Sequence, residues 1–166
     1  MFIEMKISGL TMDPITNTPI VILKDLEEKK AIPIWIGIFE ASAIATEIEK
    51  ITFSRPMTHD LLNEILKILK VEVLRVEIHD LRNNTFFANI HLLHEGKIMI
   101  VDARPSDAIA IALRAGAQIF VEDKVIEKSR NVDFGTKMAD LDHLKKEKLA
   151  EFLENLSPED FGKYKM

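Results

Sequence analysis

The chain has 166 residues, of which 22 are Lys or Arg and 27 are Asp or Glu, so its formal net charge at pH 7 is −5. Because binding of nucleic acid through extended phosphate contacts normally needs a basic protein, this charge restricts any such binding to a local group of arginines. The chain has no cysteine, no apolar run long enough to span a bilayer and no signal-peptide pattern at its N-terminus, so we expect a single-domain cytoplasmic protein without membrane contact.

The first part of the chain predicts three strands followed by two helices. Alternation of Ile3, Met5 and Ile7 predicts the first strand, and the apolar runs PIVILKD and IPIWIGI predict two strands buried on both faces. The segment FEASAIATEIEK has helical spacing. In the next helix, within SRPMTHDLLNEILKILK, Thr58 is the expected N-cap and Asp60 lies near the positive end of the helix dipole. Its predicted buried stripe consists of Leu61, Leu62, Ile65, Leu66 and Leu69.

The second part predicts three strands, one helix and a last short strand. The segments are VEVLRVEIHDL, TFFANIHLLH, KIMIVD, SDAIAIALRA and QIFVED, in that order. A shift in alternation between Val73 and Leu74 predicts a β-bulge. Glu95-Gly96 predicts a hairpin turn, and Gly116 is the expected end of the helix.

These elements predict an α+β fold with a mixed, largely antiparallel sheet and helices packed on it. Arg55-Pro56 and Arg104-Pro105 each precede a hydroxyl residue and an acid at a helix start. This echo favours a duplicated strand–helix–strand unit, although capping rules alone also generate it. We expect residues 1–134 to form one domain and residues 135–166 to form an amphipathic helical tail, which packs on the body or on a partner subunit.

Four acids lie at or near the predicted helix starts: Glu40, Asp60, Asp102 and Asp107. If they meet at one cleft, their oxygen atoms are suitable ligands for a hard divalent cation such as Mg²⁺ or Mn²⁺. The alternative is that each acid only complements a helix dipole, and for any single acid this is the simpler interpretation.

The basic residues near these acids are open to two interpretations. Arg55 and Arg104 each precede a proline, which holds the backbone extended, and a guanidinium can bind phosphate with two parallel hydrogen bonds. Alternatively, Arg104 forms a salt bridge with Asp107 or Asp102. His59 is either a general base or an exposed first-turn histidine. Ser106 is fully explained as a helix cap.

Three stretches, IPIWIGIFEASAIA, RPMTHDLL and VDARPSDAIAIALR, together resemble the bifunctional nuclease family over roughly residues 1–134. The resemblance implies a compact α/β body, a homodimer or other homo-oligomer, and cleavage of DNA and RNA. Carried over by motif, the catalytic candidates are Asp102, Arg104, Asp107, Arg55 and His59. The candidate ligands for the divalent metal are Asp102, Asp107, Glu40 and Asp60.

Three hypotheses follow from the sequence. The first is a nuclease of little sequence specificity, in which a metal ion activates water and the arginines stabilise the phosphate. The second is a non-catalytic binding or assembly module whose acids and arginines are structural, and the net charge favours it. The third places the same charged residues inside a subunit interface. Convergence of these side chains on one open cavity would favour the first hypothesis.

Overall fold

A computed structural model of the protein describes residues 1–130. The predicted C-terminal tail and the predicted domain boundary at residue 134 lie outside these residues. The strands are β1 (Phe2–Met12), β2 (Pro19–Asp25), β3 (Ala31–Trp35), β4 (Glu72–Arg82), β5 (Thr85–His94), β6 (Lys97–Ala103) and β7 (Gln118–Glu122). The helices are α1 (Ile38–Ile48), α2 (Thr58–Ile68), α3 (Pro105–Ala115) and α4 (Asp123–Arg130).

The seven described strands form one mixed sheet in the order β3-β2-β1-β7-β4-β5-β6. Every neighbouring pair is antiparallel except β4 and β7, which run parallel. The predicted α+β fold with a mixed, largely antiparallel sheet is therefore confirmed. Within residues 1–130, no helix has both the length and the apolar character needed to cross a bilayer.

Local backbone features follow the predictions from residue type. The register between β4 and β5 shifts between Val73 and Arg75, so the expected bulge is present at Leu74. Glu95 and Gly96 join β5 to β6 with φ angles of 49° and 74°, which are the left-handed values of a two-residue hairpin turn. Gly116 ends α3 with φ of 67°, a conformation that costs glycine little.

The core is built around α3, which packs against α1 and α2 and against strands β4, β5 and β7. Five consecutive residues of this helix, from Ala108 to Ala112, are almost fully buried. The small alanine side chains allow close approach of the neighbouring elements, while the larger Ile109 and Ile111, two residues apart, fill space on different sides of the helix. The first turn of α3 is therefore held rigidly, and this turn carries the charged residues of interest.

Of the predicted buried stripe of α2, only Leu66 packs against the core, and it is partly buried. Leu61, Leu62, Ile65 and Leu69 are all exposed, and Asn63 is the buried residue of the helix. Amphipathic spacing shows that a helix has an apolar face, but it does not show which surface covers that face. An exposed apolar face of this size is a feature of interaction surfaces.

The predicted caps and the predicted duplication also differ from the structure. Met57 and Arg104, rather than Thr58 and Ser106, occupy the N-cap positions of α2 and α3. The second unit, β6–α3–β7, is strand–helix–strand, whereas α2 follows α1 rather than a strand. The echo between the two Arg-Pro segments is therefore limited to the helix starts. Helix α4, which has no counterpart among the predicted elements, contacts β3, β4 and β7.

Candidate active site

A cavity of about 890 Å³ lies between the first turns of the three helices α1, α2 and α3 and the last residues of β6. We refer to it as the β6–α3 cavity. Its apolar lining includes Phe39, Leu62, Ile90, Val101 and Ile111. Its ionisable lining residues are Glu40, His59, Asp102, Arg104 and Asp107. An apolar cleft with a few convergent polar groups is the usual form of a small-molecule or substrate site.

Four of these side chains form a continuous chain of ion pairs. His59 Nε2 lies 2.9 Å from Asp107 Oδ1, and Arg104 Nε donates to Asp107 Oδ2 at 2.8 Å. The same guanidinium donates through Nη1 to Glu40 Oε1 at 2.7 Å. Helix α2 contributes His59 at one end of this His59–Asp107–Arg104–Glu40 chain, α1 contributes Glu40 at the other, and the start of α3 contributes the two residues between them. The sequence does not show that His59 and Glu40 meet this pair.

The backbone explains how Arg104 reaches both carboxylates. Because Arg104 precedes Pro105, its backbone is extended, with φ of −68° and ψ of 143°, and its side chain leaves the axis of α3. The Arg104 side chain is 65% exposed and lines the cavity, and its guanidinium donates to both carboxylates. The predicted salt bridge to Asp107 is confirmed.

The ionised forms of Asp107 and Arg104 stabilise each other. Burial raises the pKa of Asp107, but the hydrogen bonds from Arg104 and His59 outweigh it and hold this pKa below its ordinary value. Hydrogen bonds to Asp107 and Glu40 raise the pKa of Arg104. The His59 side chain is only 14% exposed, so the interpretation of an exposed first-turn histidine is wrong.

Glu40 is held in place by a close approach to Gly37, the residue that precedes α1. A Cβ atom built on Gly37 would overlap the Oε2 atom of Glu40. The absence of a side chain at this position lets the carboxylate fold back beside the helix start and accept from Arg104.

Asp60 has a different role from the one predicted. Its carboxylate does not line the cavity but accepts a hydrogen bond from Arg114 Nε at 2.6 Å and one from the Met57 backbone N–H at 3.0 Å. Arg114 also donates to the carbonyl oxygens of Ala110 and Ala43, so one side chain of α3 links all three helices. Burial raises the pKa of Asp60, but these donors outweigh it and lower the pKa.

Arg114 is the residue that the sequence analysis missed. It lies in the last turn of the apolar helix α3 and its side chain is only 5% exposed. The available signal was a single charge at helical spacing from the buried residues Ile111 and Ala110, because a buried arginine needs an anionic partner. The sequence does not identify that partner, which is 54 residues away.

Replacing Asp60 with asparagine is expected to lower the free energy of unfolding by about 1–3 kcal/mol at pH 7, because it leaves the buried Arg114 without a countercharge. We place the value below that of a fully buried pair because Asp60 is 35% exposed and solvent screens the interaction. Urea or thermal denaturation measures this change. The matched control is Glu64→Gln in the same helix, whose pair with Lys67 is exposed and should contribute under about 0.5 kcal/mol.

The same pair gives a test by pH. Since the pKa of Asp60 is lower in the folded chain than its ordinary value of 3.8, its stabilising effect is complete at neutral pH and is lost as the pH falls below 3.8. The difference between the wild type and Asp60→Asn should therefore shrink on acidification. A difference that stays constant from pH 7 to pH 3 would contradict this assignment.

Two further predicted residues are not part of the ion-pair chain. Arg55 is exposed, does not line the cavity and makes no hydrogen bond or ion pair with residues 1–130. Asp102 lies at the cavity rim and is exposed, and its side chain makes no such contact with the described residues. The structure thus groups Glu40, His59, Arg104 and Asp107 closely, places Asp102 nearby, and leaves Arg55 and Asp60 apart.

A second histidine–carboxylate pair lies outside the cavity. His91 Nε2 lies 2.9 Å from Glu77 Oε2, and Arg75 contacts the other carboxylate oxygen at 2.7 Å. Neither His91 nor Glu77 lines the β6–α3 cavity. The pair links β4 to β5, and its partners satisfy the charge of a buried glutamate.

The residues do not fit the predicted four-acid metal site. Among residues 1–130 no three His, Cys, Asp or Glu side chains are arranged to hold a metal ion. Asp60 is bound to Arg114, and the carboxylates of Glu40 and Asp107 already accept from Arg104. The use of Mg²⁺ or Mn²⁺ by the protein stays a prediction.

Comparison with known proteins places this cavity in a family context. Residues 21–133 match the family model described as "Bifunctional nuclease domain". Two relatives from Mycobacterium tuberculosis are the uncharacterized protein MT1877 of strain CDC 1551 and the uncharacterized protein Rv1829 of strain H37Rv. Each is 36% identical over 164 residues, which cover 95% of this chain and 97% of the relative. All the residues of the ion-pair chain lie within the matched range.

Proposed function

Because the chain belongs to the bifunctional nuclease domain family, we propose that it hydrolyses phosphodiester bonds of DNA and RNA at the β6–α3 cavity, with little dependence on base sequence. The observation that carries this proposal is the His59–Asp107–Arg104–Glu40 chain along one wall of an open cavity. It offers a base and a phosphate-binding cation at adjacent positions. The proposed partner is therefore nucleic acid, bound locally, and the proposed location is the cytoplasm.

Arg104 is the proposed phosphate-binding residue. A guanidinium has five N–H donors, and the contacts with Asp107 and Glu40 use two of them. The remaining donors belong to an exposed group whose orientation the two carboxylates fix in advance. Such a preoriented cation stabilises the negative charge that develops on the phosphate oxygens during attack by water. Contacts of this kind go to the backbone of a nucleic acid, so they read no sequence.

His59 is the proposed general base. The carboxylate of Asp107 accepts a hydrogen bond from Nε2–H of the neutral ring, which leaves Nδ1 as the acceptor. A water molecule bound at Nδ1 loses its proton to the ring as its oxygen attacks phosphorus and the P–O bond to the leaving sugar oxygen breaks. The imidazolium then gives the proton to that oxygen or to solvent, which returns the ring to its neutral form. Asp107 orients the ring and stabilises the imidazolium that forms, as in other histidine–carboxylate catalysts. Asp107 thus serves both His59 and Arg104.

No catalytic step is assigned to a metal ion, because the predicted ligands do not meet as one set among the described residues. Magnesium is nevertheless often held by only one or two carboxylates together with the substrate phosphate. The dependence on metal is therefore a question for experiment, and chelation gives the answer.

The non-catalytic alternative has one specific observation in its favour. The ionisable lining of the cavity comprises three carboxylates and one guanidinium besides His59, and the whole chain has a net charge of −5. A phosphate ester entering this cavity meets repulsion as well as attraction. A binding or assembly module would keep the same ion pairs for their effect on structure alone.

Cleavage assays with the purified chain separate the two functions. Single-stranded and double-stranded DNA and RNA are incubated with Mg²⁺, with Mn²⁺ and with EDTA, and the products are followed across the fractions of two different columns. The proposed function requires activity that coincides with the protein peak and disappears in the His59→Asn variant. Activity that separates from the peak belongs to a contaminant and favours the binding module.

A further inference from the structure

Strand β6 forms one edge of the sheet, and its surface is unusual for an edge. Its four central residues, Ile98 to Val101, are all exposed, with between 40% and 64% of each residue accessible. Edge strands normally carry charges, prolines or bulges, because unpaired backbone groups otherwise pair with other chains. The opposite edge follows this rule, since β3 has five residues, contains Pro33 and is largely buried. Within the described chain, the edge at β6 has none of these protections along its centre.

The hairpin turn determines which backbone groups of β6 are free. In a two-residue turn the flanking residues, here His94 and Lys97, form a hydrogen-bonded pair, and such pairs alternate along the ladder. Lys97, Met99, Val101 and Ala103 therefore direct their N–H and C=O groups towards β5. The residues that direct these groups towards the open edge are Ile98, Ile100 and Asp102.

A second copy of β6 is complementary to this edge. A twofold axis between two antiparallel strands makes one residue pair with its own copy, and Ile100 is the middle of the three outward-directed residues. Pairing centred on Ile100 engages the backbone groups of all three outward-directed residues of each copy. The two strands then overlap from Lys97 to Ala103. The partner strand must also be apolar on both faces, because Ile98 and Ile100 project from one face of the sheet and Met99 and Val101 from the other. β6 itself meets this requirement.

This register brings a cation to the cavity. Lys97 of the partner subunit lies opposite Ala103, and residues that are directly opposite project from the same face of a sheet. Val101, Ala103 and Ile90, which is paired with Val101 and shares its face, all line the β6–α3 cavity, so that face is the cavity face. The partner's Lys97 therefore lies at the rim beside Arg104. Its charge offsets the excess of carboxylates over guanidinium in the lining described above.

We propose that two copies of the chain pair antiparallel through β6, centred on Ile100, and that Lys97 of each copy completes the phosphate-binding site of the other. The interface stands on the geometry of β6, whereas the role of Lys97 rests on the proposed nuclease function. The exposed apolar face of α2 adjoins the same cavity through Leu62 and extends the apolar surface available to the second copy.

The interface is tested on the full chain without any activity assay. Because the chain has no cysteine, Ile100→Cys introduces a single thiol at the proposed axis. Directly opposite Cα atoms are about 5.5 Å apart in a hydrogen-bonded pair, which falls within the range that a disulfide spans. Mild oxidation should convert this variant to a covalent dimer, whereas Ile15→Cys, a more exposed position elsewhere, should stay mostly uncross-linked.

A second variant covers the case in which the disulfide geometry is unfavourable. Ile100→Glu places two like charges opposite each other, so sedimentation should show a dimer for the wild type and a folded monomer for this variant. A monomeric wild-type chain, or an Ile100→Glu variant that stays dimeric, would overturn the interface. The edge would then be covered by residues 131–166 or by another protein.

The role of Lys97 is tested by binding of a single-stranded oligonucleotide to Lys97→Ala. We expect an intact dimer, binding about five- to tenfold weaker at low salt, and a salt slope smaller by about 0.7. A mixture of Lys97→Ala and Arg104→Ala subunits should cleave faster than the mean of its parents, because the mixed dimer keeps one complete site. Normal binding by a dimeric Lys97→Ala would overturn this role while leaving the nuclease assignment untouched. A wild-type dimer that cleaves none of the substrates would instead contradict the proposed function.

Discussion

Replacing Asp107 with asparagine is expected to lower kcat/KM for phosphodiester cleavage by about 10²- to 10⁴-fold. The amide cannot stabilise the imidazolium of His59, and it can hold the ring in the wrong tautomer by donating to it. It also removes one of the two carboxylates that orient Arg104. The fold should persist, because the Asp107 side chain is 31% exposed and the buried links of α3 run through Arg114.

The measurement is the cleavage rate of a labelled oligonucleotide by each purified variant, with circular dichroism as the check on folding. Glu64→Gln is the matched acid-to-amide control, since its pair with Lys67 is exposed and lies outside the cavity. The double variant His59→Asn with Asp107→Asn should be little worse than either single variant, because the two residues act as one unit. Activity of Asp107→Asn within about threefold of the wild type would show that the dyad is not the catalytic base.

Replacing Arg104 with alanine is expected to lower kcat by about 10²- to 10³-fold and to weaken the binding of substrate. The change removes the cation that would bind the phosphate, and it leaves Glu40 and Asp107 facing the same space without a countercharge. Arg104→Lys should recover only part of the rate, because an ammonium group cannot hold both carboxylates and still present a planar edge to phosphate.

The matched control for this change is Arg55→Ala, which removes an arginine from the other Arg-Pro segment. Because Arg55 lies away from the cavity in the described chain, we expect its replacement to change kcat by less than about threefold. A large decrease of kcat in Arg55→Ala, together with a small decrease in Arg104→Ala, would contradict the assignment of Arg104 as the phosphate-binding residue. It would also restore the sequence-based prediction that gave both arginines a catalytic role.

Much of the fold was predictable because local patterns determine it. Alternation and short continuous apolar runs identified the strands, and the break in alternation at Leu74 identified the bulge. Glu95-Gly96 and Gly116 were predictable because their backbone conformations favour particular residue types. These signals depend on neighbours within a few residues, which a single sequence contains in full.

The errors arose where distant partners decide the outcome. The apolar stripe of α2 was read correctly as a stripe but incorrectly as buried, since spacing does not identify a covering surface. Asp60 was assigned to a metal site because the sequence does not show that Arg114, 54 residues later, binds it. The link between Arg104 and Glu40 spans 64 residues and was equally invisible. Residue type together with the motifs of the resembled family nominated all five ionisable groups of the cavity. Four were catalytic candidates, namely His59, Asp102, Arg104 and Asp107, and the fifth, Glu40, was a candidate metal ligand.

The lack of a side chain at Gly37 makes this position one at which evolution can alter the cavity. Since a Cβ there would overlap the end of the flexible Glu40 side chain, a single added methyl group would require this carboxylate to shift, and the shift would alter one of the two contacts that orient Arg104. The residue at position 37 therefore influences the orientation of the Arg104 guanidinium indirectly, through Glu40. Variation there could retune affinity for anionic ligands while every charged residue of the cavity is retained.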